Sequence, residues 1–211
     1  MLNSGFQVNL DVDGRDCLVI GGNEEATEKT GRLLDAGGRV RLVSPQITNK
    51  LRTLLESGRL RHEARPFEPR DLNGIFLVVN AVAGDPELTA RVHELATARS
   101  LLINSFDNPA YSSFGMVALV RAGHLRLAVS TSNASPSLSR RLRQDLAALF
   151  DDEFVEYLEL LARVRRHLRD TVEDREHRFA MLRALVTDFS LSGRLNYPAD
   201  WRGKMEEMLR R

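Results

Sequence analysis

Cysteine is almost missing from this chain: its 211 residues contain one, Cys17, set in the apolar run Cys17-Leu18-Val19-Ile20. No internal disulfide can form, and a reducing compartment is the expected home. Net charge is also missing. Lys and Arg total 30 against 29 for Asp and Glu, so nothing global favours nucleic acid or a membrane surface. No apolar stretch is long enough to span a bilayer. Met1 to Val8 has neither the basic start nor the apolar core of a secretion signal, so a cytoplasmic protein is expected. The five histidines, His62, His93, His124, His167 and His177, share no metal-ligand spacing, and Cys17 has no partner for a metal site. A P-loop, a nucleophile elbow, an internal repeat and a low-complexity segment are absent as well.

What is there is an alternation of strands and helices. Val8 to Leu10 reads as a short leading strand, and Cys17 to Ile20 as the first strong one, ended by Gly21-Gly22. A helix follows from Glu24 to Ala36, with Gly37-Gly38 as its stop. The same rhythm gives a strand at Val40–Val43, a helix at Ile47–Ser57 and a weaker strand at Leu60–Ala64. Ile75 to Val79 is continuously apolar, as a buried central strand of a parallel sheet should be. Pro86 opens a helix to about Arg99, and Leu101 to Ile103 forms the last strand of the series. The fold class expected is therefore α/β, a Rossmann-type doubly wound parallel sheet. After Phe114 two strand-like runs, Gly115–Val120 and Leu125–Ser130, flank a hairpin signal. A helix through Pro136 then runs to about Phe150. From Glu153 the pattern is helical, with one apolar stripe at Leu158, Leu161, Val164 and Leu168 and another at Met181, Leu182, Leu185 and Val186. The expected division is 1–113 for the sheet domain, 114–150 for a small α+β region and 151–211 for a helical extension.

Three segments carry candidate chemistry. Gly21-Gly22-Asn23-Glu24-Glu25 lies between the first strong strand and the first helix, where a dinucleotide fold puts its phosphate turn. Asn23 takes the place of the fingerprint's middle glycine, where its side chain would crowd a pyrophosphate, and the glutamates suit the helix dipole but not a nearby phosphate. The second strand ends in Ser44-Pro45-Gln46, with no carboxylate to grip a ribose. Asn104-Ser105-Phe106-Asp107-Asn108-Pro109 follows the last parallel strand. Asp107 there is either a turn former or a general base placed beside a nicotinamide ring. Ser130-Thr131-Ser132-Asn133-Ala134-Ser135-Pro136 opens a helix bearing Arg140, Arg141 and Arg143. It reads either as an anion cradle or as an ordinary capped helix with a solvated basic face. The run Arg163-Val164-Arg165-Arg166-His167 reads as a solvated helix face.

In their order, the runs CLVIGGNEEATEKTGRLLDAGGRVRLVSP, FLVVNAVAGDPELTARV and INSFDNPAYSSFGMVALVRAGHLRLAVSTSNASPSLSRRLR resemble the precorrin-2 dehydrogenase/ferrochelatase family, which includes the N-terminal module of siroheme synthase. The resemblance covers Val8 through Phe150 and is most specific from Asn104 to Arg143. It implies NAD-dependent oxidation of precorrin-2 to sirohydrochlorin, followed in many members by insertion of ferrous iron as a second substrate. Asp107 falls on the family's essential aspartate. The NAD contacts fall on Gly21, Gly22, Asn23, Glu24, Glu25, Ser44, Pro45, Gln46, Asn80 and Ala81. The tetrapyrrole side falls on Asn104, Ser130, Thr131, Ser132, Ser135 and Arg140. A homodimer is implied, with the region after Phe114 supplying much of the contact, and no resident metal.

The chain departs from the family where three glycines are usual, at Asn23, and at Glu25 and Glu28, where valine and arginine are common. It also departs at Asn80 to Asp85. No methyltransferase module follows, so uroporphyrinogen methylation is expected elsewhere. Two other readings stay open: a non-catalytic tetrapyrrole- or partner-binding protein with a degenerate NAD site, and an unrelated NAD(P)-dependent oxidoreductase. The absent ribose carboxylate leaves NADP open.

Overall fold

In the computed structural model, which describes residues 5–193, the first half is one parallel sheet. Its strands are β1 (Asp16–Ile20), β2 (Arg39–Val43), β3 (Leu60–Glu63), β4 (Leu77–Asn80) and β5 (Leu102–Ser105). They lie in the order β3-β2-β1-β4-β5. Every pairing is parallel, with Cys17 opposite Val40 on one side and Leu77 on the other.

The near-continuous apolar runs of β1 and β4 have a direct cause, because helices cover both faces of the sheet. Side chains of a strand alternate between its faces. Cys17 and Val19 therefore pack with Ala26 and Leu33 of α1 (Glu24–Asp35) and with Leu51 of α2 (Asn49–Glu56). Leu18 and Ile20 pack on the other side with Val92 and Ala96 of α3 (Pro86–Thr97). This is the doubly wound α/β arrangement that the strand and helix rhythm predicts. Cys17 is fully buried, and burial raises its thiol pKa to about 11, so it is a core residue rather than a nucleophile.

Helix ends follow local chemistry. Asn23, Thr48 and Asp85 cap α1, α2 and α3 with their side chains. The Gly37-Gly38 stop works as expected: the Gly37 and Gly38 N–H groups take the last free carbonyls of α1, those of Leu34 and Leu33.

Two expected strands are corrected. Val8 to Leu10 forms no strand and is exposed, since both neighbours of β1 are already in place. The strand expected from Gly115 starts at Ala118. Before it, the carbonyls of Phe114 and Val117 accept from the side chains of Asn104 and Arg32, each at 2.9 Å, instead of from a neighbouring strand. The hairpin itself is present as β6 (Ala118–Ala122) and β7 (Leu125–Val129), followed by α4 (Pro136–Ala147).

The described residues form two compact units. One gathers the chain up to Val120 with Arg126–Ala148; the other takes Arg121–Leu125 with the residues from Leu149 on. In the second unit, α5 (Asp152–Thr171) and α6 (Arg175–Ala184) are capped by Asp151 and Asp174. Tyr157 donates to the Leu185 carbonyl at 2.7 Å and stacks on Phe189, whose ring also meets Phe154. Of the two expected stripes only Leu168 is buried; Met181, Leu185 and Val186 are exposed, and the last two lie beyond α6. The extension was expected to reach 211, but residues 194–211 lie outside the described ones.

The connection from β3 to β4 is braced by charge. Asp71 is buried, in a short 3-10 turn (Pro69–Leu72), and accepts both guanidinium nitrogens of Arg65 at 2.9 and 2.7 Å. The Glu68 N–H adds a third bond at 2.8 Å, and Arg65 also contacts Glu63. Burial pushes the Asp71 carboxyl up, but Arg65 and the backbone donor outweigh it and hold the pKa below its ordinary value. A depressed carboxyl pKa stabilises the fold above the usual carboxylate range and ceases to do so as pH falls through its lowered value. Asp71→Asn should lower unfolding free energy by about 2 to 3 kcal/mol at neutral pH, because it removes the buried charge that both Arg65 nitrogens and the Glu68 N–H meet and leaves Arg65 only the more exposed Glu63 and Glu68. Denaturant titration should show that difference at pH 7 and shrinking steadily below pH about 4; a pH-independent gap would exclude ionisation as the cause.

Candidate functional site

A parallel sheet of this order changes direction between β1 and β4, and the crevice outside the strand ends at that point is where such folds take ligands. Gly21 and Gly22 leave the end of β1 there. Gly21 adopts φ +107°, which disfavours a side chain, and its N–H donates to the Val43 carbonyl at 3.0 Å. Gly22 is glycine for another reason: a Cβ on it would overlap the Gln46 carbonyl. The β1–α1 turn thus lies directly against the β2–α2 turn, and the Thr48 N–H fastens them by donating to the Gly22 carbonyl at 3.0 Å.

Asn23 does not adopt the left-handed backbone that glycine would allow; its φ is −84°. Its side chain is engaged twice. The Ala26 N–H donates to Oδ1 and Nδ2 donates to the Ala81 carbonyl, both at 2.9 Å. Both bonds draw the amide against α1 and the end of β4. The N–H groups of Gly22, Asn23, Glu24 and Glu25 have no acceptor among the described residues, so the helix start presents four donors that can receive an anion. The nearby carboxylates are partly compensated: Glu25 pairs with Lys29 at 2.8 Å, and Glu28 with Lys29 and Arg32. Burial raises the Glu28 pKa, but those cations together hold it below its ordinary value.

Ser44 turns inward, buried, and its hydroxyl donates to the Gln46 carbonyl at 2.7 Å. Pro45 and Gln46 remain exposed on the same rim.

At the end of β4, Asn80 is fully buried. Its Oδ1 accepts from the Val82 N–H and its Nδ2 donates to Thr89 of α3, each at 3.2 Å. Its carbonyl accepts the Phe106 N–H at 2.8 Å, which fixes the turn that begins after β5. Two consecutive carbonyls at the end of β4, that of Asn80 and that of Ala81 just past the strand, thus hold the turn before Asp107 and the side chain of Asn23.

Asp107 has φ +49°, a conformation that aspartate tolerates better than most residues. It is exposed, and no hydrogen bond or ion pair of the described residues engages its carboxylate. Phe106 beside it is 40% exposed. The chain then returns along the open edge of β5, where Ser112 and Ser113 hydroxyls accept the Ser105 and Ile103 N–H groups at 2.9 Å each. These bonds cover an edge strand without adding a strand. Asn104 is tied to Phe114 and so positions the backbone.

The segment Ser130 to Ser135 is built separately from this rim. Thr131 accepts the Ser135 N–H at 3.1 Å and meets the Ser139 hydroxyl at 3.0 Å, while Ser135 caps α4. The Ser132 N–H donates to the Ser130 hydroxyl. Ser132 and Asn133 are left-handed, with φ of 50° and 67°. Arg140 is exposed on α4. Sequence reading missed the side-chain ties of Asn23 and Ser44, and it missed the Ser112–Ser113 edge. Among the described residues no three His, Cys, Asp or Glu side chains converge as metal ligands, and no helix is long and apolar enough to cross a membrane.

A family model described as "Putative NAD(P)-binding" matches residues 8–118, the sheet with its glycine turn and its Asp107 turn. The chain belongs to this family. It is similar to a siroheme synthase of Pseudomonas paraeruginosa, 33% identical over 202 residues, which is 94% of this chain and 43% of that protein. It is similar to siroheme synthase 1 of Halorhodospira halophila, 33% identical over 175 residues, 82% of this chain and 36% of that protein. The chain therefore spans less than half the length of these relatives. A solved structure of SirC, a precorrin-2 dehydrogenase, shares the fold with a TM-score of 0.75, covering 98% of this chain and all of that one at 24% identity. The resemblance to the precorrin-2 dehydrogenase family read from the sequence is borne out.

Asn23→Ala should cost about 2 kcal/mol, about half for the lost cap and half for the lost bond to Ala81. Asn23→Asp, which keeps the acceptor and loses the donor, should fall between. Thermal melts of the three proteins measure this; a neutral Asn23→Ala would show that neither bond contributes.

Proposed function

We propose that this chain dehydrogenates precorrin-2 to sirohydrochlorin with NAD as oxidant, acting in siroheme formation. The observation that carries the reading is the pair of carbonyls at the end of β4, which ties the glycine turn through Asn23, and the turn of the exposed Asp107 through Phe106, to one strand end. The relatives' names support the pathway, and the family description supports a nicotinamide cofactor.

The residues present fit a dinucleotide. The four free N–H groups from Gly22 to Glu25 would receive its pyrophosphate, and the rim at Pro45 and Gln46 would meet its adenosine ribose. Bound there, the nicotinamide supplies the hydride acceptor. Asp107 takes the proton that leaves the substrate as its hydride departs, and afterwards releases it to water, so two electrons and two hydrogens leave precorrin-2 in balance. Its exposure lets it reach a substrate lying outside the sheet, and the Phe106–Asn80 bond keeps it in place. The exposed Arg140 side chain suits the carboxylates of a tetrapyrrole. Insertion of ferrous iron into the product, with Asp107 removing pyrrole protons, is a further step within the same reading, as is a homodimer.

The decisive measurement is an anaerobic assay with precorrin-2, with NAD, NADP or neither, following sirohydrochlorin and reduced cofactor together. Matched appearance of both products is expected. Asp107→Asn should lower kcat by about 10²-fold or more while the circular dichroism spectrum stays unchanged. Wild-type turnover in that variant would remove Asp107 from the mechanism. Absence of turnover in the unaltered protein at saturating cofactor would overturn the dehydrogenase and favour a tetrapyrrole-binding role.

A further inference from the structure

In the sheet unit Arg32, Arg39, Arg41, Arg59, Arg65 and Arg70 have acidic or carbonyl partners, and arginines without one among the described residues, such as Arg52 and Arg91, stand on different helices. The helical unit gathers its arginines together. Arg165, Arg166 and Arg169 of α5 and Arg178 of α6 line a single groove of about 250 Å³, together with Phe179 and Leu182. Arg165 and Arg166 have no hydrogen bond or ion pair among the described residues. Arg169 has Asp170 at 3.4 Å, with both side chains mostly exposed. Arg178 is half-buried and donates to the Val172 carbonyl at 2.6 Å, at the turn between the helices.

Arg165 and Arg169 stand four residues apart on one helix, a like-charge spacing that destabilises an isolated helix. Packing does not require it, because an acidic residue at either position would relieve the repulsion. Charges held together at a cost to the fold mark a site where an external counter-ion completes the structure. Guanidinium groups present planar, forked donors that match carboxylate and phosphate oxygens in pairs. Phe179 and Leu182 supply one apolar wall, so a ligand's uncharged frame has a surface to lie on. The groove is small for a tetrapyrrole and suits a compact ion.

We propose that the α5–α6 groove binds a small, multiply charged oxyanion, a polycarboxylate or a diphosphate, at a site independent of the dehydrogenation chemistry. The probes are citrate and pyrophosphate, titrated calorimetrically into the whole protein at about 50 mM ionic strength, where screening is modest. One-to-one saturable binding of at least one is expected. Preference for citrate would identify the polycarboxylate source, and preference for pyrophosphate the diphosphate source. The double variant Arg165→Gln/Arg166→Gln, which removes no bond of the fold, should weaken binding about tenfold or more. The charge-matched double variant Arg91→Gln/Arg163→Gln, at two exposed arginines that do not line the groove, should leave it unchanged. Full affinity in the double variant would place the anion elsewhere, such as the glycine turn, and overturn the proposal. Equal losses in both variants would reduce the effect to net charge and overturn it as well, as would no saturable binding of either anion.

Discussion

Two loops must leave a parallel sheet in opposite directions wherever its winding reverses, and the strand ends at that point have backbone groups with no neighbouring strand to satisfy them. Here the reversal lies between β1 and β4, and the end of β4 meets the constraint with its own last two peptide units. The Ala81 N–H still belongs to the sheet, donating to the Ile20 carbonyl at 2.8 Å. The Asn80 carbonyl closes the ladder to β5 by accepting the Phe106 N–H just past that strand, and the Ala81 carbonyl, one residue beyond β4, takes the Asn23 side chain. A buried carbonyl left unpaired would cost free energy comparable to a lost hydrogen bond, so the Phe106 N–H and the Asn23 amide are held there by the same requirement. The rim at the carboxyl edge is rigid because the backbone must be satisfied, and its exposed groups are then displayed from fixed positions.

Most of the fold was legible because its signals are local. A cap lies three residues from the N–H it serves, and a run such as Leu77 to Val79 carries its own two-faced burial. Positions whose partners are distant were not legible. Asn23 looks like a poor substitute for glycine when judged within its own turn, yet its amide is fixed by a carbonyl 58 residues away. Gly22 reads as space for a phosphate; its neighbour in the fold is the Gln46 carbonyl. Arg65 and Asp71 sit in a stretch without periodicity, and nothing local reveals that one is buried against the other.

Ser112 and Ser113 are a related case. Read along the chain they are two small polar residues in a loop. In space their hydroxyls take the place of a neighbouring strand's carbonyls, so β5 ends the sheet without an open edge. The segment carrying Asp107 is consequently anchored at both ends, by Asn80 before it and by the serines after it. Fixing both ends of a short loop leaves the residue between them few backbone choices.

That restriction bears on Asp107 itself. A left-handed position in a tight turn is most cheaply filled by glycine or asparagine. Aspartate tolerates it but brings a charge, and here that charge has no partner among the described residues. Turn geometry alone explains a residue of this general kind and does not explain the choice of a carboxylate. Several acidic side chains of the sheet unit are matched, Asp16 with Arg39, Asp71 with Arg65 and Glu25 with Lys29, while Glu56, Glu87 and Glu94 stand unmatched among the described residues on exposed helix faces. An unmatched carboxylate on a doubly anchored turn, at the edge where this fold takes its ligands, is better accounted for by something it meets outside the chain than by anything it does for the fold.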